Sequence, residues 1–309
     1  MHSMRIVSLL PSATEIICSL DLLPDLVGVT HECDYPQSVK SLPKVTRTII
    51  PHDASSVEID SLVRTQLKST NALYSLNMDL LKEIAPDLIV TQALCNVCAV
   101  AEEEVREAAC TLPGKPNVIN LEPMTLDDVF ETIRLVGEAT GYEDKAEDVL
   151  SALQKRVESV KQRTVANISI EKRPRVVFLE WIDPPFNPGH WNSELIELAG
   201  GIDCIGNKNK PSRTIEWQAV IDADPEVLFI ACCGFDVERT LQDIEILKSK
   251  PGWPDLPCVK NRRVYVTDGN AYFSRSGPRL VDSLEIIAHA LHPDVHLIPA
   301  GIPPALVLT

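Results

Sequence analysis

"NMDLLKEIAPDLIVTQ", residues 77 to 92, decides the fold. It reads as a helix that stops at Pro86, where the ring removes a donor and clashes with the preceding turn. A short apolar run, residues 88 to 91, follows and has the length of a strand buried on both faces. The same order returns in "EWQAVIDADPEVLFIACCG", residues 216 to 234. "PEVLFIACCG" corresponds in kind to "PDLIVTQALC", so one helix, proline, strand unit occurs in each half of the chain. That recurrence predicts an α/β fold of two Rossmann-like lobes with mostly parallel sheets.

Outward from these units, "RIVSLL" (5–10), "LVGVT" (26–30), "NVINLEP" (117–123), "RVVFLEW" (175–181) and "RRVYV" (262–266) read as further strands. Ser12 or Thr14 is placed to cap the helix after the first strand, with Glu15 three residues beyond Ser12. "NSELIELAGG" is a helix closed by Gly200 and Gly201. Between Thr125 and about Val165 no strand signal interrupts two helical runs, so a long helical connector is expected there. The expected organisation is an N-terminal lobe over 4–123, the connector over 124–168, a C-terminal lobe over 173–293 and a tail over 294–309. The Pro-rich tail is expected to pack loosely on the surface.

The chain has 309 residues, 45% of them hydrophobic, and a formal net charge of −15. Such acidity excludes nucleic acid and anionic membrane surfaces as partners. No run reaches the length of a membrane-spanning helix, so no membrane insertion is expected. Pro11 and Glu15 interrupt the first apolar run, which does not read as a secretory signal. Nine cysteines, an odd number, point in the same direction, to reduced thiols in a cytoplasmic protein. A monomer is the expected state.

In open α/β sheets ligands bind beyond the carboxyl ends of the strands. The segments there are "PSAT" (11–14), "HECDY" (31–35), "QALCNVC" (92–98), "EWIDPPFNPGHW" (180–191), "CCGF" (232–235) and "DGNAYFSR" (268–275). They gather seven of the fifteen aromatics, two histidines and five of the nine cysteines. The candidate ligand-binding residues are Ser12, Thr14, His31, Glu32, Asp34, Tyr35, Cys95, Cys98, Trp181, Phe186, His190, Trp191, Cys233, Tyr272, Phe273 and Arg275. Aromatics with a few polar groups describe a small-molecule site. Each residue also has a plainer reading: Trp181, Phe186 and Trp191 as packing aromatics, His31 and His190 as hydrogen-bonded loop residues, and Arg275 as a cap on a helix.

These segments, together with "RIVSLLPSATEIICSLDLLPDLVGVTHECDYP" and "RVYVTDGNAYFSRSGPRLVDSLEIIAHAL", resemble the cobalamin and iron-chelate periplasmic-binding-protein family over roughly residues 5 to 292. The resemblance implies two α/β lobes joined by a long rigid helix, with a ligand cleft between them. It implies that Tyr35 packs on a corrin ring and that Trp181 and Phe186 face it from the other lobe. Tyr272 and Arg275 match a loop that closes over the ligand. Flat macrocycles are well held between aromatic faces. Exported members dock an ABC transporter through one surface glutamate per lobe. The matching positions here are Asp79 and Gln218, which puts transporter docking in doubt.

Cys95 and Cys98 leave three readings open: pocket-lining thiols, metal ligands, or a redox pair. A zinc site wants four donors, and His31 with Cys33 is the nearest complement. The cofactor is thus a corrinoid, a metal such as zinc, or neither. The leading expectation is a non-catalytic binding protein for a corrinoid-like or metal-chelate molecule. The alternative is an intracellular metal-handling protein or enzyme on the same scaffold. No triad order, P-loop or dinucleotide fingerprint is present, which argues against the common catalytic classes.

Overall fold

The computed structural model describes residues 4–48, 55–69, 74–92 and 102–309. They fall into two units, Met1–Pro123 with Asp127–Ser151, and Met124–Leu126 with Ala152–Thr309. In chain order the first half holds β1 (Ile6–Ser8), α1 (Pro11–Ser19), β2 (Leu26–Gly28), β3 (Thr46–Thr48), α2 (Ser56–Ser69), β4 (Tyr74–Leu76), α3 (Met78–Ile84), β5 (Leu88–Thr91), α4 (Glu102–Thr111) and β6 (Asn117–Asn120). Helices α5 (Leu126–Thr140) and α6 (Glu143–Asn167) come next. The second half holds β7 (Arg175–Leu179), β8 (Gly189–His190), α7 (Asn192–Leu198), β9 (Ile202–Asp203), β10 (Asn207–Lys208), α8 (Trp217–Asp222), β11 (Val227–Ile230), α9 (Val237–Gln242), α10 (Ile244–Lys248), α11 (Pro257–Lys260), β12 (Val264–Val266), α12 (Leu280–Leu291) and β13 (Leu306–Val307).

The first sheet runs β2-β1-β5-β6 and is parallel throughout. The second runs β13-β12-β11-β7-β9. Without β13, its order β9-β7-β11-β12 repeats that of the first sheet. The recurring sequence unit therefore marks equivalent places: α3–β5 in one sheet and α8–β11 in the other. Both central strands are closed on both faces, with no residue of β5 or β11 more than 1% exposed. Around β5 the core is built from Val7, Leu9, Leu81, Ile84, Ile89 and Val105. Across the β7–β11 pair Phe178 stacks on Phe229, centroids 5.4 Å apart.

Local chemistry explains the boundaries. Asn77 caps α3 by accepting from the Leu80 N–H at 3.3 Å, and Ala85 turns left-handed before Pro86 to end it. Ser12 and Thr14 do not cap α1. Pro11 takes the first helical position, Leu10 is the residue before it, and both polar side chains are buried inside the helix. The connector is two helices, broken at Gly141, whose φ of +74° ends α5. The tail does more than pack loosely: Leu306 and Val307 pair antiparallel with Val266 and Tyr265 and close that edge of the sheet.

Within the second unit α6 is fastened to α12 and to the segment that follows it. Arg156 reaches Asp282 and Glu285, each at 2.5 Å. Two turns on, His296 Nε2 lies 3.0 Å from Thr164 Oγ1, while the Thr164 hydroxyl donates to the Leu198 carbonyl. His296 Nε2 therefore donates, and its Nδ1 is buried with no partner among the described residues. Burial, then the charges of Arg163, His292 and His289, holds the His296 pKa down at about 4. The unfolded chain takes up a proton near pH 6.5 that the fold refuses until about pH 4. Stability should therefore fall across that window, by on the order of 3 kcal/mol for this group. Melting curves from pH 7 to 4 should show a steeper decline for the natural protein than for His296→Asn.

Candidate functional site

Each sheet has one place where successive connections leave in opposite directions. In the first it lies between β1 and β5, in the second between β7 and β11. Loops diverge there and leave the strand ends open to a ligand. Glu180 and Trp181 follow β7, and the segment 231–235 follows β11. Trp181 and Phe235 consequently meet, ring centroids 4.7 Å apart and planes tilted by 43°. The Arg239 guanidinium lies 4.2 Å from the Phe235 ring centroid and is itself held by Asp243 at 3.0 Å. Trp181 Nε1 is buried with no hydrogen-bond partner among the described residues. An indole N–H left without an acceptor is a costly group unless something supplies one.

The loop that carries Trp181 and Phe186 is held by contacts of its own. Phe186 bridges Trp181 on one side and Thr214 on the other. Asn187, fully buried, donates to the Ile205 carbonyl at 2.7 Å and accepts from the Arg213 N–H at 2.8 Å. The Asp183–Pro184 peptide is cis, and Asp183 pairs with Lys250 at 3.5 Å. His190 takes a left-handed φ of +49°, and β8 and β10 hold it in place. Its Nε2 has no partner among the described residues, and burial lowers its pKa, so the ring stays neutral near pH 7.

The other strand-end residues separate into surface and interior. Trp191 donates its Nε1–H to the Phe273 carbonyl at 3.0 Å and is 4% exposed. Phe273 packs on Phe178 and Phe229, each at 5.3 Å, inside the core. Trp191 thus packs as the plainer reading has it, and Phe273, a candidate for the ligand, is interior. Arg275 is buried and donates to Asn270 Oδ1 at 3.0 Å, which braces the turn 269–273. That turn is tied to the Trp181 surface, because the Asn270 N–H donates to the Phe235 carbonyl at 3.1 Å. Tyr272 lies under the Arg279 guanidinium, 5.6 Å from its centroid, and Cys233 is exposed.

In the first unit Ser12 and Thr14 are interior. Thr14 Oγ1 donates to Ser8 Oγ at 2.8 Å and sits 3.1 Å from Cys33 Sγ. Thr30 is 3.3 Å from the same sulfur. Burial pushes the Cys33 thiol up, away from the thiolate a metal needs. His31 turns to other partners: Nδ1 is 2.8 Å from Thr46 Oγ1, and the ring lies 5.0 Å from Tyr74. Its Nε2 is 3.1 Å from Glu32 Oε1 but out of hydrogen-bonding alignment. Among the described residues no three His, Cys, Asp or Glu side chains converge as a metal site. Cys95 and Cys98 lie outside the described residues, so the open question about that pair is untouched. Glu32, Asp34 and Tyr35 share the loop after His31, with Tyr35 47% exposed beside a cis bond to Pro36.

The model of a family described as periplasmic binding protein matches residues 6–271. The chain belongs to the periplasmic binding protein family. Among curated relatives of this family, the uncharacterized ABC transporter substrate-binding lipoprotein YvrC of Bacillus subtilis is 24% identical over 297 residues, covering 94% of this chain and 80% of the relative. The vitamin B12-binding protein of Vibrio cholerae is 21% identical over 285 residues, 91% of this chain and 86% of that protein. Among solved structures, the periplasmic heme-binding protein RhuT of Roseiflexus is similar with a TM-score of 0.71 at 24% identity, covering 94% of this chain and 99% of that one. At that identity the structural likeness speaks for the fold alone. The family overturns the expectation of a cytoplasmic protein: its members are named for the periplasm, and one relative is a lipoprotein. Thiol number and an interrupted apolar run were the wrong signals for compartment.

Sequence reasoning missed Phe235, Arg239, Asn187 and Glu180 as parts of this surface. The position of "CCGF" just past a strand was the available signal for Phe235. Gly269 is a further unread requirement. A Cβ on it would stand 2.2 Å from the Cys232 carbonyl oxygen, so the turn 269–273 can lie against the end of β11 only without a side chain. Gly269→Ala should lower stability by about 1–3 kcal/mol through this backbone clash. Urea titration compared with Gly301→Ala, where nothing lies within 4 Å but φ is +88°, separates the clash from backbone strain alone.

Proposed function

We propose that this protein captures a broad, flat metal chelate of the corrinoid kind and presents it to an uptake system. The carrying observation is the Trp181–Phe235 pair at the switch point of the second sheet, with a buried indole N–H that awaits an acceptor. A corrinoid offers both complements: a wide face for the rings and amide oxygens around its rim. Aromatic faces contribute most where the partner is large and rigid. The hydrogen bonds of Asn187 and Asn270 hold the loop and turn beside those rings, and a site held by its own bonds has a smaller ordering cost on binding. The vitamin B12-binding relatives favour a corrinoid, whereas heme is the competing macrocycle named among similar structures.

Delivery to a transporter belongs to this reading. Asp79 and Gln218 are both exposed second residues of equivalent helices, α3 and α8. Gln218 donates to Asp222 at 2.8 Å, so a carboxylate stands one turn away from the neutral position.

Calorimetric titration with cyanocobalamin, and separately with hemin, tests the ligand. Saturable binding of cyanocobalamin is expected, with affinity at least about tenfold lower in Trp181→Ala. Tighter binding of hemin than of cyanocobalamin would replace the corrinoid with heme. Failure of both, at roughly millimolar concentrations, would overturn the macrocycle reading.

A further inference from the structure

A recess of about 280 Å³ lies between α6, α7 and β10 of the second unit. Three cations line it, Lys161, Arg173 and Lys208, together with the carboxylates of Glu194 and Glu197. None of these belongs to the strand-end segments that carry Trp181 and Phe235. Lys208 Nζ is bound to Glu197 Oε2 at 2.5 Å, and Glu194 Oε2 accepts from the Leu126 N–H at 3.1 Å. Lys161 has only Glu158 among the described residues, at 3.9 Å, the outer limit of an ion pair. Arg173 has no side-chain partner at all among the described residues, and its Nε is buried. By contrast, the guanidinium groups of Arg156, Arg175, Arg239, Arg263 and Arg275 each donate to a carboxylate, carbonyl or amide oxygen. Arg213 and Arg262 lack such a partner but are exposed to water. Among the described arginines only Arg173 encloses a nitrogen that has no acceptor. Such a donor is costly, the more so on a charged group. Carboxylates are not scarce, with 44 acidic residues against 29 basic, so the missing partner is a local feature of this recess.

We infer that this recess binds a small organic oxyanion, a carboxylate or a phosphate ester, on the Nε edge of Arg173 with Lys161 as a second charge. The inference is independent of the macrocycle reading given above.

The chemistry of the lining sets the class of ligand. A guanidinium presents its Nε–H and one Nη–H side by side, a fork that matches two oxygens of a carboxylate or phosphate. With three cations and two carboxylates the recess keeps a net positive charge. Lys161, more than half exposed, contributes a screened charge and little more. Thr164 offers no donor, because its hydroxyl already donates to the Leu198 carbonyl at 3.0 Å. Val165 and Leu198 line the same recess and leave apolar surface for a short carbon chain. The volume agrees: it exceeds a bare inorganic ion and lies below the range of pockets for drug-sized molecules.

Melting curves in sodium succinate and in sodium glycerol 3-phosphate, each against sodium chloride at equal ionic strength, test the site. A ligand of the folded state raises the melting point with saturation. Half-saturation is expected at roughly millimolar concentration, with binding at least about tenfold weaker in Arg173→Gln. Arg173→Lys, which keeps the charge but loses the fork, should lie between. Arg163→Gln should behave as the natural protein, since that arginine lies outside the recess and its Nε donates to the Ser159 carbonyl. Proton–nitrogen NMR of the arginine Nε–H groups reads the site without reference to stability. The Arg173 resonance, identified by its loss in Arg173→Lys, should move on titration, and this reading holds even where Arg173→Gln does not fold. An Arg173 resonance that both probes leave in place overturns the inference, as does a melting rise that survives undiminished in Arg173→Gln. A response to one probe alone upholds the site and narrows the ligand to carboxylates or to phosphate esters. Cyanocobalamin has no part in these titrations, so the macrocycle reading stands or falls separately.

Discussion

The closure of β5 and β11 on both faces is the constraint from which the rest follows. A parallel strand with helices on either side has no room for a polar side chain. Leu88 to Thr91 and Val227 to Ile230 obey this almost completely. Every polar or aromatic group with work to do is thereby displaced to the strand ends. The chain's course displaces it further, to the two switch points where loops part. Trp181 and Phe235 meet because β7 and β11 are neighbours whose following loops leave in opposite directions.

Within the second unit, the interior buttresses the surface in layers. Phe178, Phe229 and Phe273 form the aromatic floor. Trp191 bonds to the Phe273 carbonyl, and Arg275 braces the turn above through Asn270. Asn187 and Glu180 then fix the loop that presents Trp181 and Phe186. Buried polar groups of this kind are favourable only when fully matched. Two of the buried groups left unmatched among the described residues, Trp181 Nε1 and His190 Nε2, lie in the loop beside the candidate surface. A binding protein gains from such a layout because little order remains to be imposed when the ligand arrives.

Much of this fold is legible in the sequence because its causes are local. Pro86 and Pro225 stop helices, and the apolar runs after them are too short for anything but strands. Gly200, with φ of +86°, closes α7 where the Gly200–Gly201 pair predicts it. Local reading fails where a residue's partner is distant. Ser12 and Thr14 carry capping chemistry, yet Pro11 claims the helix start and Thr14 turns to Ser8 and Cys33. Trp191 and Phe273 stand in the right segments, but contacts far along the chain draw them inward. The tail reads as loose because nothing local shows that β12 offers Leu306 and Val307 an open edge.

The sequence by itself determined the two α/β units, the equivalence of their central strands, and which loops stand at the strand ends. Those properties follow from periodicity, proline and glycine chemistry, and the exclusion of polar groups from doubly covered strands. It also carried the family resemblance that the matched model bears out. Tertiary structure decided which strand-end residues remain at the surface and which become scaffold. It paired Trp181 with Phe235, turned His31 to Thr46 and Cys33 to Thr14, and set Gly189 and Asn192 on the Glu180 carboxyl. The physical reason is reach: a ring contact or a hydrogen bond is made across a few ångströms of space, whatever the distance along the chain.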